Sequence, residues 1–424
     1  MALNQAVKQP SIGNGCHLKH TSLYICYQSL FAPLTRAQVI AYLEGAAKAN
    51  NSIILLTYEL RTPPVQEAEK WRQELALVGI HWQWLRYHKW PSLPATLWDV
   101  LVGILVSWRL IRRHRISIVH ARSHVPALMG LVLKRLTNIK LLFDLRGLMA
   151  EEYVDAGVWK PGGFLFRLTK SAERRIIRAA DAIVVLTKQA KQFLLESYPA
   201  ETHSKTITVI PCCVDFYRTW GDHSSEAKGV PRLVYVGKLG GWYLDREMLD
   251  FFGTASRIDP NLQFDIWTQS ATTSIETIIE DCQLDNVNIA SVKPAHLPEK
   301  LQRATAAIAF IKPCISKRAS SPTKIGEYLA AGLPVIANAG IGDLDELLQG
   351  NGEGPVGVLV KDFTDDSYRI ALDQLAVLQQ SPKIAERCQK VAREFLDLRT
   401  VGWPRYQQVY RDLVYHQNES ASTR

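Results

Sequence analysis

Short apolar runs alternate with amphipathic segments from Ser22 onward, a pattern typical of strands joined by helices. The first three segments, SLYICY, TRAQVIAYLEGAAKAN and SIILLTYEL, predict a strand, a helix and a second strand. The pattern recurs in ISIVHA, HVPALMGLVLKRL, IKLLFDL, SAERRIIRAA and DAIVVLT. Because the strand segments are almost continuously Ile, Val and Leu, both of their faces should be covered, as in a parallel sheet between two helical layers.

A second series of the same kind follows the polar stretch FYRTWGDHSSEAKGVP, which predicts a linker. Its strand candidates are RLVYVGKL, LQFDIWTQ, VNIASV, AAIAFI, PVIANA and VGVLV. We therefore predict an α/β protein of two Rossmann-like, doubly wound domains that face each other across a cleft. The predicted parts are a flexible leader at 1–20, a first domain at 21–212, a linker at 213–229, a second domain at 230–400, and a C-terminal helix and tail at 401–424.

The composition is that of a globular protein, but its charge is uneven. The 424 residues are too many for one ordinary core. Residues 1–225 hold 28 Lys and Arg against 16 Asp and Glu, a net +12, whereas 226–424 hold 22 against 25, a net −3. A basic first half favours nucleic acid, an anionic membrane surface or an anionic acceptor, or it is a solvated face without a ligand.

The cysteines, the first twenty residues and one apolar segment bear on cellular location and metal binding. Seven cysteines without CxxC pairs predict reduced thiols in a cytoplasmic protein, and Cys16, His17 and His20 lack a second ligand pair for a metal. The first twenty residues have no apolar run of a secretory signal. The segment TLWDVLVGILVSWRLIRRHR carries about ten apolar residues between Asp99 and Arg109, too few to span a bilayer, and predicts a core helix.

The segment SPTKIGEYLAAG predicts a helix with well-defined ends. Ser321 is the predicted N-cap, Pro322 the first helical residue and Gly332 the residue just past the end. One face is apolar, and the other presents Glu327 among Gly and Ala. Such a face leaves room for another molecule or another backbone.

The start of this helix has the chemistry of a nucleotide site. Thr323, Lys324 and free backbone N–H groups favour a phosphate, and Glu327 one turn later could accept hydrogen bonds from a ribose. The alternative is an ordinary core helix whose Glu327 is solvated.

Four segments together resemble the retaining family-4 glycosyltransferases of GT-B fold. SPTKIGEYLAAGLPVIANAGIGDLDELL is similar to that family's signature, GKLG to its G-[RK]-L loop, and VIPCCVD to its interdomain segment. RTVGWPRYQQVY is similar to the terminal helix that returns to the first domain. The resemblance implies a metal-independent hexosyltransferase-type enzyme that uses a nucleotide-sugar, retains anomeric configuration and needs no cofactor.

The resemblance also implies donor contacts in the second domain. Glu327 corresponds to the second Glu of the family's E-x7-E pair, which binds the ribose hydroxyls. Ala319 replaces the first Glu, so Ser321, Thr323 and backbone groups are expected to contact the sugar instead. Lys238 stands where the family has an Arg that binds the diphosphate.

The loop around Lys238 completes the predicted donor site. Gly237 and Gly240 flank this lysine in the GKLG loop. The family's next lysine is missing, with Lys324 as the nearest substitute and Arg246 as a weaker one. Lys238 and Lys324 are therefore expected to stabilise the departing diphosphate.

Polar residues also follow the predicted strands of the first domain. Thr35 and Gln38 form a capping-box pattern that places Arg36 at the opening of a helix. We predict Arg36 as an acceptor-side residue. His120, Arg122 and His124 follow a later strand, and we predict His120 and Arg122 as further acceptor-side residues.

The next strand end supplies Asp144 and Arg146, which we predict to be catalytic. Arg146 takes the place where the family often has a His that contacts the donor sugar. The alternative is a structural cluster of ion pairs with Glu151 and Glu152.

The predicted function is sugar transfer to a glycan or lipid-linked acceptor in cell-surface polysaccharide or glycolipid synthesis. The basic first domain fits a cytoplasmic enzyme that is peripheral at an anionic membrane, with SAERRIIRAA and RLIRRHR as candidate contacts. A sugar-nucleotide epimerase of the same fold is one alternative.

Two other functions and one metal motif are less favoured by the sequence. A non-catalytic nucleic-acid-binding protein would suit the charge, but no nucleic-acid motif is present, and we expect no nucleic-acid partner. No G-x-G-x-x-G follows a leading strand, which argues against a nicotinamide oxidoreductase. Asp343-Leu344-Asp345 matches a D-x-D metal motif, yet Asp343 with Glu346 predicts an N-cap and capping box.

Overall fold

The computed structural model describes residues 20–49, 51–219 and 230–422. In the first domain of this described part, seven parallel strands form one sheet in the order β3-β2-β1-β4-β5-β6-β7. They are β1 His20–Cys26, β2 Asn51–Glu59, β3 Ile80–Arg86, β4 Ile118–Arg122, β5 Lys140–Leu145, β6 Ala182–Val185 and β7 Thr206–Val209. Cys16 and His17 of the predicted leader lie outside the described residues.

Helices cover both faces of this sheet. They are α1 Pro33–Thr35, α2 Ala41–Lys48, α3 Val65–Leu77, α4 Ser92–His114, α5 His124–Leu136, α6 Met149–Asp155, α7 Phe164–Ala179, α8 Lys188–Ser197 and α9 Pro199–Thr202. A further short helix, α10 Phe216–Thr219, begins with Phe216 in the core of the second domain. A π-helical turn, Arg36–Ile40, joins α1 to α2.

The continuous apolar runs of the sequence are explained by strands buried on both sides. In β1, Leu23 and Ile25 pack into the core beneath α4, α5 and α7. The residues that alternate with them, Tyr24 and Cys26, point to the opposite core beneath α2 and the C-terminal helix. Since successive strand residues face opposite sides, a strand with two helical layers needs apolar residues at every position.

The second domain repeats the design with six parallel strands in its described part, ordered β10-β9-β8-β11-β12-β13. They are β8 Arg232–Val236, β9 Gln263–Trp267, β10 Val287–Ala290, β11 Ala306–Ala309, β12 Val335–Asn338 and β13 Gly357–Val360. Its helices are α11 Asp245–Ile258, α12 Thr273–Asp281, α13 Leu297–Gln302, α14 Thr323–Ala330, α15 Leu344–Leu348, α16 Asp365–Gln379 and α17 Ile384–Leu396. Two short 3₁₀ helices span Pro294–His296 and Ile315–Ala319.

The chain then returns to the first domain through a π-helical turn, Leu398–Gly402, and helix α18, Trp403–Ser422. The Trp403 indole N–H donates to the Ala41 carbonyl at 2.8 Å, and Gln407 donates to the Gly45 carbonyl at 2.9 Å. The predicted fold class, two Rossmann-like domains with a returning C-terminal helix, is therefore confirmed.

The two chain crossings between the domains pair with each other. The Val214 amide donates to the Leu396 carbonyl at 2.7 Å, and the Leu398 amide donates to the Val214 carbonyl at 2.9 Å. Val214 and Phe216 are buried in the core of the second domain, although the predicted linker begins at 213. The first core residues of the second domain thus lie within the predicted linker.

The prediction that α4 is a core helix is wrong for one of its faces. Leu97, Trp98, Leu101 and Leu105 are each more than half exposed. The opposite face is buried, with Val100 and Leu110 in the core. Apolar composition alone did not distinguish a helix buried all round from one that is apolar all round but half exposed.

None of the three predicted side-chain caps forms, although Asp343 does occupy the predicted N-cap position of α15. The Ser321 hydroxyl accepts a hydrogen bond from the Cys212 amide at 3.0 Å, and the residue before α14 is Pro322. The Asp343 carboxylate accepts from the Lys188 and Gln189 amides at the start of α8, at 2.7 and 3.1 Å. In each case a partner from the first domain competes with the local helix end.

The third cap concerns Thr35 and Gln38. Thr35 is the last residue of α1 rather than an N-cap, because Pro33 begins the helix one turn earlier. Its side chain is fully buried, and Gln38 faces the cleft.

We predict that Gly45→Ala destabilises the protein by about 1–3 kcal/mol, although alanine is the better helix former. A Cβ at Gly45 would lie 2.1 Å from Cγ of Trp403, so α18 would have to move off α2. Urea denaturation of the purified chain measures the change in the free energy of unfolding.

Gly253→Ala is the matched control, because Gly253 also lies inside a helix, but a Cβ there would be 3.5 Å from its nearest neighbour. This variant should be neutral or up to about 1 kcal/mol more stable. Equal effects of the two substitutions would show that α18 is not packed on α2 in this way.

Candidate functional site

The carboxyl ends of both sheets border a cleft with a cavity of about 490 Å³. In the described chain, residues from both domains line it. From the first domain come Gln38, Arg122, His124, Arg146, Glu152, Tyr153 and Cys212; from the second come Trp242, Tyr243, Lys317, Ser321 and Thr323. The predicted site residues Arg122, Arg146, Ser321 and Thr323 therefore share one cavity. In doubly wound parallel sheets, ligands bind in the crevice outside the carboxyl ends of the strands.

Lys324 lies one layer behind the cavity wall, in an aromatic cage. Its ammonium group is 3.7 Å from the ring centre of Tyr243 and 4.0 Å from that of Tyr235. No hydrogen-bond acceptor within the described residues meets its Nζ atom. Burial lowers the pKa of Lys324 well below its usual value, against the opposing pull of Glu327 and Asp245. A buried amine that lacks a hydrogen-bond acceptor and lies beside a cleft is suited to an anionic ligand.

Gly237 lies directly against this lysine. A Cβ at Gly237 would be 2.8 Å from Lys324 Nζ, and the glycine has a φ of +137° that side chains disfavour. The predicted grouping of the GKLG loop with the start of α14 is thus present in the structure. The loop needs glycine here both for its backbone conformation and for the close approach of the lysine.

Glu327 follows one turn after Thr323 and is only partly exposed. Burial raises the pKa of its carboxyl group to about 7, and the charge of Lys324 acts in the opposite direction. The carboxyl group therefore changes charge near neutral pH. A buried carboxylate of this kind gains most from ligand hydroxyls that donate hydrogen bonds to it.

Lys238 is exposed and is not among the side chains that line the cavity. Its carbonyl accepts a hydrogen bond from the Tyr235 hydroxyl, and the Gly240 amide donates to Asp245 at 2.6 Å. These bonds fix the backbone of the loop and leave the Lys238 side chain in solvent. Its role in binding diphosphate stays a prediction, as does that of Gly240.

Arg146 is positioned at the cleft by contacts on three sides. Its guanidinium donates to Gln38 Oε1 at 3.2 Å, lies 3.5 Å from the Cys212 sulfur and lies 3.6 Å from Asp144 Oδ1. Although burial opposes it, the carboxylate of Asp144 raises the pKa of Arg146 well above its usual value. Arg146 therefore presents a permanent, oriented cation to the cavity.

Asp144 and His120 were predicted at the site, but the structure places both behind it. Asp144 is fully buried, and its Oδ2 atom accepts a hydrogen bond from Tyr406 at 3.1 Å. His120 lies 2.9 Å from the Tyr410 hydroxyl and 3.5 Å from Asp144. Neither side chain is in the cavity wall, so neither can contact a substrate in this arrangement.

The charges around Asp144 show what it does instead. Burial alone would raise the pKa of Asp144, but Arg146, His120 and Arg122 outweigh it and hold the pKa well below the usual range. Asp144 therefore remains ionised and orients Arg146 and Arg122, whose guanidinium lies 3.7 Å away. Asp144 is a positioning residue.

The other polar residues considered in the first domain also lie partly inside and partly outside the cavity wall. Arg36 is exposed, lies 4.6 Å above the Trp71 ring and is not in the cavity wall. His124 lines the cavity and bonds to the buried Glu173 at 2.7 Å. The alternative cluster of ion pairs is not a single unit, because Glu151 is outside the cavity wall and pairs with Lys170 at 2.8 Å, whereas Glu152 is in the wall and pairs with Lys317.

Sequence reasoning missed Lys317, which the structure places in the cleft. Its ammonium is 3.8 Å from the ring centre of Trp242 and 3.7 Å from Glu152 Oε1 in the facing domain. Burial lowers its pKa, against the attraction of Glu152. The available signal was the SKR run just before Ala319, but nothing in its spacing showed which basic residue would turn inward.

Comparisons with known proteins agree with this geometry. Residues 38–218 match the sequence model described as Glycosyltransferase Family 4. Comparison with curated protein sequences gave no match. Among solved structures, sucrose-phosphate synthase from Thermosynechococcus elongatus is similar with a TM-score of 0.69 and 14% identity, over 94% of this chain and 100% of that one.

Two further structures share the fold. A glycosyltransferase from Rickettsia africae has a TM-score of 0.67 and 16% identity, over 93% of this chain and 99% of that one. Anabaena HepE in complex with UDP and glucose has a TM-score of 0.63 and 14% identity, over 94% of this chain and 100% of that one.

The two facing sheets, the shared cleft and the returning helix are those of the GT-B fold, which these structures share. Within this fold, residues 38–218 carry the match to the Glycosyltransferase Family 4 model.

We predict that the affinity for a nucleotide-sugar falls as the pH drops from about 8 to about 6, by up to about tenfold per pH unit below the pKa of the group. Ribose hydroxyls bond best to an ionised carboxylate, and Glu327, with its pKa of about 7, becomes protonated over this range. Isothermal titration at several pH values measures the affinity.

The Glu327→Gln variant provides the control, because its side chain does not titrate. Its affinity should be lower but independent of pH on the acid side. An acid limb of the same size in the Gln variant would assign the titration to another group.

Proposed function

We propose that this protein transfers a sugar from a nucleotide-sugar to a glycan or lipid-linked acceptor, with retention of configuration and without a metal ion. The observation that supports this best is the start of α14, where Thr323 lines the same cavity as Arg146, and Lys324 and Glu327 follow it in the same helix behind the cavity wall. This places phosphate-binding and hydroxyl-binding groups on one helix. A cation from the other domain faces them.

The donor fits this wall with its nucleotide on the second domain. Glu327 is suited to the ribose hydroxyls, and Lys324 and the free amides of the first turn of α14 are suited to the diphosphate. Lys324 would exchange its contacts with Tyr235 and Tyr243 for phosphate oxygens, which is favourable because its Nζ atom has no acceptor among the described residues. The complex of HepE with UDP and glucose makes a uridine nucleotide a reasonable first ligand to test.

The chemical step needs positive charge at the leaving group. When the bond between the sugar and the diphosphate breaks, negative charge develops on the diphosphate, and preorganised cations stabilise it. Lys317 and Arg146 line the cavity and supply such cations from opposite domains. Both are held in place by other side chains, so little reorganisation is required during the reaction.

Retention is proposed by a single-face route. Asp144 is fully buried and Glu152 is paired with Lys317, so in the described chain these carboxylates are committed to other partners. The departing phosphate can instead take the proton from the acceptor hydroxyl while that oxygen attacks from the same face. The D-x-D segment has other contacts, since Asp343 binds the start of α8 and Asp345 accepts from the Gly340 amide.

The proposed setting is the cytoplasmic side of a membrane, in the synthesis of a cell-surface polysaccharide or glycolipid. The supporting observation is the net charge of +12 on residues 1–225, which suits an anionic surface.

We predict that one of the UDP-, GDP-, ADP- or TDP-sugars raises the melting temperature of the protein, and that Glu327→Ala abolishes this rise while leaving the unliganded melting temperature nearly unchanged. The carboxylate is only partly exposed and is destabilised by burial, so its loss should cost the fold little. Thermal-shift screening measures both effects.

Glu299→Ala is the matched control, since this glutamate is exposed in the same domain and pairs with Arg303, just past the end of α13. It should leave the shift intact. Donor binding that survives Glu327→Ala would contradict the assigned donor site, and donor turnover without an acceptor would favour an epimerase instead.

We predict that Lys317→Met weakens binding of a nucleoside diphosphate by about tenfold, because it removes one cation from the cleft. The matched control is Lys300→Met, since Lys300 also lies over a tryptophan, Trp267, but away from the cavity. Competition against a fluorescent nucleotide measures the affinity, and equal losses in both variants would remove Lys317 from the site.

A further inference from the structure

Helix α4 presents an unusual apolar surface to solvent. Leu93, Leu97, Leu101 and Leu105 recur at every fourth position, and each is more than half exposed. Trp98 is 58% exposed beside them. Four leucines at this spacing make a continuous strip about 18 Å long, by the rise of an α-helix. Soluble surfaces seldom carry so much contiguous apolar area without a partner.

The opposite side of α4 is fixed to the first domain. The buried Asp99 carboxylate accepts a hydrogen bond from Tyr27 at 2.8 Å, and the Tyr58 hydroxyl donates to the Asp99 carbonyl at 3.1 Å. Gly103 lies against Tyr58 and Met129. By length and composition, Leu93–His114 is the one helix of the described chain that could cross a membrane. These contacts hold it against the domain instead, so it can only lie flat on a surface.

The charge along α4 identifies the surface that suits it. Asp99 is the only acidic residue in the helix, and it is buried on the inner side. Beyond Leu105 the outer face becomes basic, with Arg109 and Arg112 exposed and Arg112 lying 5.1 Å from the Trp108 ring. An apolar strip that ends in arginines matches the boundary between acyl chains and anionic headgroups.

Helix α7 repeats the arrangement on the same side of the sheet. Phe164, Leu165 and Leu168 are exposed in its first turns, and Arg175 and Arg178 are exposed towards its end. Helix α5 packs between α4 and α7. The two amphipathic helices therefore belong to one face of the first domain.

This face adjoins the cleft. Helix α4 follows the carboxyl end of β3, and α7 follows α6, which itself begins just after the carboxyl end of β5. The apolar part of each helix is its beginning, so the apolar parts lie towards the edge of the sheet that borders the cavity, and the arginines lie towards the far edge.

We propose that the outer face of α4, continued by the start of α7, binds in the plane of an anionic lipid bilayer and so places the cleft next to the membrane surface. This inference rests on the proposed function, and it makes a membrane-embedded, lipid-linked acceptor the favoured class of substrate over a soluble glycan. The leucines enter the acyl boundary, and the arginines contact the headgroup phosphates.

The test is co-sedimentation of the full chain with vesicles of phosphatidylcholine and phosphatidylglycerol, and with vesicles of phosphatidylcholine alone. The protein should bind the anionic vesicles more strongly and should lose part of this binding at high salt. The triple variant Leu97→Ser, Leu101→Ser and Leu105→Ser should bind the anionic vesicles at least about tenfold more weakly. The matched control is Leu77→Ser, Ile370→Ser and Val377→Ser, three apolar residues that are also exposed but lie on other helices.

The thermal shift by the donor is measured for each variant in the absence of vesicles. Normal donor binding with lost vesicle binding in the α4 variant supports the surface. A parent chain that binds vesicles but is stabilised by no donor contradicts the proposed function but not the surface. The proposal is overturned if the α4 variant binds vesicles as well as the control does. It is also overturned if the parent chain forms a dimer that the α4 variant loses while neither binds vesicles, because a second copy would then be the partner of this face.

Discussion

One buried carboxylate, that of Asp144, connects the sheet of the first domain to the C-terminal helix and to the cleft. It accepts a hydrogen bond from Tyr406 of α18 and lies 3.6 and 3.7 Å from the guanidinium groups of Arg146 and Arg122. A buried charge is stable only when such partners compensate for its lost hydration. The docking of α18, which is the last element of the chain, and the orientation of the cleft arginines therefore depend on the same side chain.

A second set of contacts fixes how the domains face each other. The Asp155 carboxylate on α6 accepts from the Ser316 amide at 2.8 Å, and Lys317, the next residue, pairs with Glu152 of the same helix. On the other side of the cleft, Asp343 binds the first amides of α8. The helix dipole and the free amides at the start of α8 favour this carboxylate. The cavity thus has charged contacts on both flanks, and its cations are supplied by both domains.

The start of α14, where we propose that the donor binds, and the exposed apolar face of α4 have different roles in the proposed function. At the start of α14, burial lowers the pKa of Lys324 and raises the pKa of Glu327, so both groups lose charge more readily than in water. A ligand with phosphates and hydroxyls would supply hydrogen-bond partners for both. On α4, apolar side chains are left in solvent at the edge of the same cleft. Buried charged groups and exposed leucines both raise the free energy of the isolated chain, and both become favourable when a ligand of matching chemistry covers them.

The sequence by itself determined the strands and helices that form the two parallel sheets, because periodicity is a local property of the chain. The returning helix and the grouping of Gly237 with Lys324 were expected from the resemblance of short motifs to a known family, because contacts between distant segments are not local properties. The sequence could not assign Asp144 and His120 to the interior, since their burial depends on Tyr406 and Tyr410, which are more than 250 residues away in the sequence. The same holds for Ser321 and Asp343, whose oxygens bind amides of the other domain rather than the ends of their own helices. The position of Lys317 in the cleft and the exposure of one face of α4 were decided by tertiary packing, because burial depends on contacts with segments that are distant in the sequence.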